Sequence, residues 1–218
     1  MNKKGMYNNK TRRITRAFQI YLLVLAVAAS PLAAEDAPQA TRHVFPSLDG
    51  NFVAERVLEG ISQPTAIEFL PDGRALVSQR DRGLVTIADF SSGSNTDVQG
   101  LPKLVVFSDA GVHDLELHPE YGKNGWIYVA YTEGEEYHST AVVDRFKLEG
   151  TKAVELERIF TADAYSEGAY HYAARMQFKD GDLYFALGDR QHPPMAQDNS
   201  NHAGTVVRLK DDGSVPDD

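Results

Sequence analysis

From Ala66 onward the chain repeats one pattern three times: a short apolar-rich run, a tight polar turn, and then two further β-rich runs. The first copy reads Ala66–Leu70, turn Pro71-Asp72-Gly73, then Ala75–Ser78 and Leu84–Ile87. The second reads Leu115–Leu117, a turn from His118 to Gly125, then Trp126–Thr132 and Thr140–Phe146. The third reads Arg175–Phe178, turn Lys179-Asp180-Gly181, then Leu183–Leu187 and Thr205–Leu209. Short runs rich in β-branched and aromatic residues, bounded by Asp-Gly or Asn-Gly, predict strands joined by hairpins rather than helices. The turns recur about 50 to 60 residues apart, a spacing that suits propeller blades. The expected fold is therefore all-β: a partial β-propeller of about three four-stranded blades, with a β-sandwich as the alternative packing. Closing a ring takes at least ~4 blades. Three would leave two faces uncovered, so a longer parent chain or self-association through the open faces is expected.

The N-terminus breaks the pattern. Lys3, Lys4, Lys10, Arg12, Arg13 and Arg16 precede an apolar run from Ile20 to Ala29 and the small-residue stretch Ser30–Ala34. This is the layout of a secretory signal peptide; the apolar run is about half of the ~20 residues that span a bilayer. The expected organisation is a signal at 1–34, a flexible leader at 35–49, and the propeller part at 50–218, exported to the periplasm or secreted. The formal charge is −9, and without the signal 16 basic residues face 31 acidic ones, which gives −15. Such a surface disfavours nucleic acid and anionic membrane as partners. The absence of cysteine excludes disulfides, a thiolate metal site and a cysteine nucleophile.

Specific words stand on this repeat. They are Phe69–Val77; Leu117-His118-Pro119-Glu120-Tyr121 with Asn124–Tyr128; and Leu183–Arg190 with Ala196-Gln197-Asp198, Val207-Arg208-Leu209 and Asp212–Pro216. In this order they resemble the soluble PQQ-dependent glucose/sorbosone dehydrogenases, or aldose sugar dehydrogenases, from about Phe52 to Asp218. The resemblance implies a roughly six-bladed propeller that binds pyrroloquinoline quinone (PQQ), with calcium, over its central channel. It also implies oxidation of the anomeric hydroxyl of a sugar to a lactone, with electrons passed to an external acceptor.

By the same resemblance, His171 in Tyr170–Met176 is the candidate catalytic base, and Arg175, Tyr170 and Asp109 are candidate cofactor contacts. A neutral imidazole can accept a proton near pH 7 without a large shift. By the resemblance, Tyr170 stands where the glucose-oxidising branch has an acid, Tyr172 and Ala173-Ala174 where glycines are usual, Asp109 at a glutamine position, and His113 at an apolar one. The family's calcium ligands and its His-Arg-Asn-Pro segment belong to a downstream half that these 218 residues do not contain. The chain by itself is therefore expected to show little or no activity, and no metal-ligating residue is assigned. A non-catalytic segment that binds carbohydrate or protein is the alternative. His113 and His118 read as structural histidines, and Asp180-Gly181-Asp182 and Asp211-Asp212-Gly213 as ordinary turns.

Overall fold

The computed structural model describes residues 42–217; the expected signal and the leader up to residue 41 lie outside them. A first hairpin pairs β1 (Arg42–Phe45), inside the stretch read as a flexible leader, with β2 (Phe52–Glu55). All eight of its residues are exposed. Three antiparallel meanders follow. Sheet one is β3 (Pro64–Phe69), β4 (Ala75–Gln79), β5 (Leu84–Asp89) and β6 (Ser94–Asp97). Sheet two is β7 (Val112–Leu117), β8 (Ile127–Glu135), β9 (His138–Glu149) and β10 (Lys152–Thr161). Sheet three is β11 (Ala173–Lys179), β12 (Asp182–Leu187) and β13 (Val206–Leu209). The expected partial propeller is thus present, with three strands instead of four in the last sheet among the described residues.

The turn chemistry is visible in the backbone. Leu70 N–H donates to the Arg74 carbonyl at 2.8 Å, and Gly73 closes the loop at φ +88°, where a side chain would be strained. Asp180 and Gly181, at φ +53° and +93°, form the two-residue hairpin between β11 and β12.

The middle sheet is covered on both faces, which explains why β8 reads as an unbroken apolar run and not as an alternation. Its residues still divide by pleat. Ile127, Val129 and Tyr131 pack with Leu76, Val85 and Ile87 of sheet one. Tyr128 and Ala130 pack with Met176, Leu183 and Phe185 of sheet three. The innermost strands β3, β7 and β11 lie side by side and are joined by side chains: Thr65 Oγ1 donates to the Val112 carbonyl at 2.9 Å, and Met176 N–H to Asp114 Oδ2 at 2.7 Å. Each innermost strand loses register once, near its start, between Pro64 and Ile67, at His113, and at Ala174. A bulge bends its strand and re-aims the neighbouring side chains. The three bulges lie at the same end of the sheets, because the three strands run in the same sense from that end.

Candidate functional site

The bulged ends of β3, β7 and β11 surround a depression of about 200 Å³, lined by Thr65, Arg80, Asp109, His113, His171, Tyr172, Ala173 and Arg175. Three of the four residues singled out in the sequence, His171, Asp109 and Arg175, therefore meet in one place. Tyr170 falls outside that lining; its side chain is exposed, and its carbonyl accepts a hydrogen bond from Arg190.

His171 has a left-handed backbone, φ +57°, as do Ala173 and Ala174 at +58° and +61°. Such conformations cost non-glycine residues of order 1–3 kcal/mol and survive only where surrounding contacts impose them. One contact that accompanies this conformation is with Gly188. A Cβ built on it would lie 2.5 Å from the His171 carbonyl carbon and closer still to the oxygen, so glycine is what lets the two backbones approach. Gly188 N–H also donates to the Tyr172 carbonyl at 3.1 Å.

The next residue, Asp189, takes the imidazole itself: His171 Nδ1 lies 2.7 Å from Asp189 Oδ1. That hydrogen bond, with one from Gln191 N–H, holds the Asp189 carboxyl below the usual carboxylate range. An ionised carboxylate only accepts, so Nδ1 carries the proton and Nε2 is left as the basic nitrogen. The ring is half exposed, which keeps Nε2 within reach of a ligand. Asp189 was not singled out from the sequence, although it stands in the Gly188-Asp189-Arg190 word.

Two guanidinium groups border the histidine. Arg175 Nη1 donates to Asp114 Oδ1 at 2.8 Å while most of its side chain stays exposed. Arg80 Nη2 donates to Gln63 at 3.0 Å, and Nη1 lies 3.4 Å from Asp109 Oδ1. Arg80 Nε is buried with no hydrogen-bond partner. Cationic groups and an unused donor around a basic nitrogen suit an anionic, oxygen-rich ligand.

His113 is a different kind of histidine. It is buried, bonded through Nε2 to Thr132 Oγ1 at 2.8 Å and stacked on Tyr172, and burial with nearby Arg80, Arg190 and Arg175 pushes its pKa down to about 3. It stays neutral and shapes the floor. His118 accepts from Glu120 N–H at 2.9 Å in the turn before β8, a structural role. Among the described residues no three His, Asp or Glu side chains converge as a metal set would.

A larger groove of about 670 Å³ runs along β3, β7 and β11 and shares Thr65 and Arg175 with the depression. Its walls are mostly apolar, from Ile67, Leu115 and Met176, and besides Thr65 and Arg175 its polar groups are the carboxylates Glu68, Glu116 and Asp114. Burial, with the charges of Glu116 and Asp114, pushes Glu68 up to about 7. The groove has no paired base, so the His171–Asp189 corner is the chemically equipped part of this surface.

The family model described as Glucose / Sorbosone dehydrogenase matches residues 61–218, from the loop before β3 through all three sheets. The chain belongs to the glucose/sorbosone dehydrogenase family. It is 23% identical over 225 residues to quinoprotein glucose dehydrogenase B of Acinetobacter calcoaceticus, covering 90% of this chain and 47% of that one. It superposes on the soluble aldose sugar dehydrogenase of Escherichia coli with a TM-score of 0.70 at 26% identity, over 82% of this chain and 50% of that chain. The PQQ-bound aldose sugar dehydrogenase of Streptomyces coelicolor gives a TM-score of 0.62 at 22% identity, over 80% of this chain and 49% of that chain. The chain spans a little under half the length of the curated relatives it matches. Among its described residues no helix is long and apolar enough to cross a membrane.

Proposed function

We propose that the chain is the N-terminal, base-bearing part of an exported PQQ-dependent sugar dehydrogenase, with His171 as the base that takes the proton of the anomeric hydroxyl. The observation that carries this reading is His171 in the depression paired to Asp189, with Nδ1 committed to the carboxylate and Nε2 free to accept. PQQ is a planar quinone bearing carboxylates. Arg80 and Arg175, with the unpartnered Arg80 Nε, fit the anionic edge of such a group and are the residues that would hold it. A quinone held there would supply the two-electron sink for the C–H bond of the sugar.

The chain's own contribution is acid–base and geometric. Asp189 fixes the imidazole tautomer and steadies the imidazolium that forms when the hydroxyl proton arrives at Nε2. The neutral His113 adds no like charge behind the base. Asp109, at the lip, can orient a sugar hydroxyl by accepting from it. The described carboxylates and histidines do not fit a calcium site, and no step is assigned to that ion.

The test uses the chain alone and the chain mixed with the C-terminal half of a full-length family member, each with PQQ and calcium, followed by sugar-dependent dye reduction. The expected result is negligible turnover alone and turnover with the added half that falls at least a hundredfold in His171→Ala. Full activity of His171→Ala in the reconstituted protein would refute the assignment of the base.

A further inference from the structure

Arg190 is almost wholly buried, yet the partners of its guanidinium are backbone carbonyls and a ring, not a carboxylate. Nε donates to the Ala164 carbonyl at 3.3 Å, Nη2 to the Gly168 carbonyl at 2.7 Å and the Ser139 carbonyl at 3.3 Å, and Nη1 to the Tyr170 carbonyl. The guanidinium carbon lies 3.5 Å from the centroid of the Tyr172 ring, within cation–π distance. Tyr172 is itself fixed by Ser139 Oγ at 2.7 Å and by the stacked His113.

These contacts bracket one residue. The carbonyl of Tyr170 and the ring of Tyr172 are the groups immediately before and after His171, and Arg190 holds both. It also gathers Ala164 and Gly168 from the loop that leads into His171, and it ties that loop to β9 through Ser139. A loop of this length has no strand pairing of its own beyond the single bridge between Ser139 and Ser166. A rigid five-donor fork is the one side-chain type able to satisfy so many carbonyls at once.

We propose that Arg190 is the positioning residue of the His171 base: its buried guanidinium locks the 164–172 loop so that the imidazole presents Nδ1 to Asp189 and leaves Nε2 facing the ligand. The functional meaning rests on His171 being the base; the placement of the ring does not. Removal of the guanidinium takes a donor from four carbonyls, those of Ala164 and Ser139 in buried surroundings, and the loop opens to solvate them. The left-handed backbone of His171 then relaxes, and Nδ1 leaves Asp189.

The experiment is 15N NMR of the full chain without cofactor or sugar. In the native protein His171 is expected to show the Nδ1–H tautomer, and the Arg190 Nη–H protons to give separate, slowly exchanging lines. One averaged Arg190 line would overturn the proposal. In Arg190→Gln the Nδ1–H tautomer is expected to fall from predominant to minor, as in an Asp189→Ala reference that loses the partner directly. Arg190→Lys, which can reach only part of the carbonyl set, should lie between. A variant that melts lower but keeps the native tautomer while folded would show a merely structural role and overturn the proposal. Should Arg190→Gln not fold, the native line pattern and the lysine variant decide on the same criteria. Loss of sugar oxidation by itself bears on the base assignment and leaves this result standing.

Discussion

Replacement of Gly188 by alanine tests the local architecture most directly. Its backbone is not in the left-handed region, so alanine is conformationally free there and the whole cost is contact. The new methyl would sit 2.5 Å from the His171 carbonyl carbon and closer still to its oxygen, against 3.4–4 Å for ordinary contact, so one backbone must move by roughly 1.5 Å. Overpacking of this kind costs about 1–3 kcal/mol. Two further hydrogen bonds are strained, Gly188 N–H to Tyr172 and Gly204 N–H to Gly188, each worth about 1 kcal/mol. An overall loss of ~3 kcal/mol is expected, which lowers the melting temperature by roughly 6–12 °C in a domain of this size. Thermal and urea unfolding measure it. Gly122→Ala is the control, because nothing lies within 4 Å of its would-be methyl and the site is helical. Equal stability of Gly188→Ala and the native chain, with the His171 tautomer unchanged, would refute the reasoning.

Other outcomes follow from the same geometry. Because the folded pKa of Glu68, about 7, lies above its ordinary 4.5, the native state keeps a proton that the unfolded chain gives up first. Its contribution is full below about pH 4.5 and is lost as pH rises through about 7. With the group half-buried the loss amounts to roughly 1–2 kcal/mol, and urea titrations from pH 4 to 8 should show a flatter profile in Glu68→Gln. Ala173→Gly relieves an exposed left-handed residue and should stabilise the chain by about 1 kcal/mol, read as a rise in melting temperature. Arg158→Ala removes the partner of the buried Asp144, which also accepts from Tyr131 at 2.6 Å. It should cost about 2–3 kcal/mol, restored in part by Asp144→Asn on the same background in a double-mutant cycle.

The strands that carry core residues were legible in the sequence because burial writes itself into side-chain type: Ile127–Thr132 and Leu183–Leu187 had no other reading. The outer strands Ser94–Asp97 and Lys152–Thr161 were not, since Ser-Asn-Thr-Asp has no apolar residue and the second run is largely exposed, with Ile159 its one buried core residue. They pair because β5 and β9 offer unpaired edges, which is a tertiary cause. The candidate site was legible only through the resemblance. Chain order alone separates Asp109 from His171, and the bulges that bring Thr65, His113 and Ala173 to one depression depend on register, which composition does not encode. Asp189 could have been found: a Gly-Asp pair at the end of a buried strand places a carboxylate at the rim where loops deliver polar groups. Ala173 and Ala174 hold left-handed backbone that glycine adopts without strain, and nothing in an Ala-Ala pair announces it.

The double covering of the middle sheet has a kinetic corollary. Sheets one and three each lean on it, while it leans on both, so the assembly behaves as a short nearest-neighbour stack. Fraying should start at the flanks and leave the central meander protected longest. Amide deuteration should therefore be slowest at Ile127–Tyr131 and their partners Val142–Phe146, with Leu183–Phe185 exchanging earlier, and the last protection to vanish on warming should coincide with global collapse.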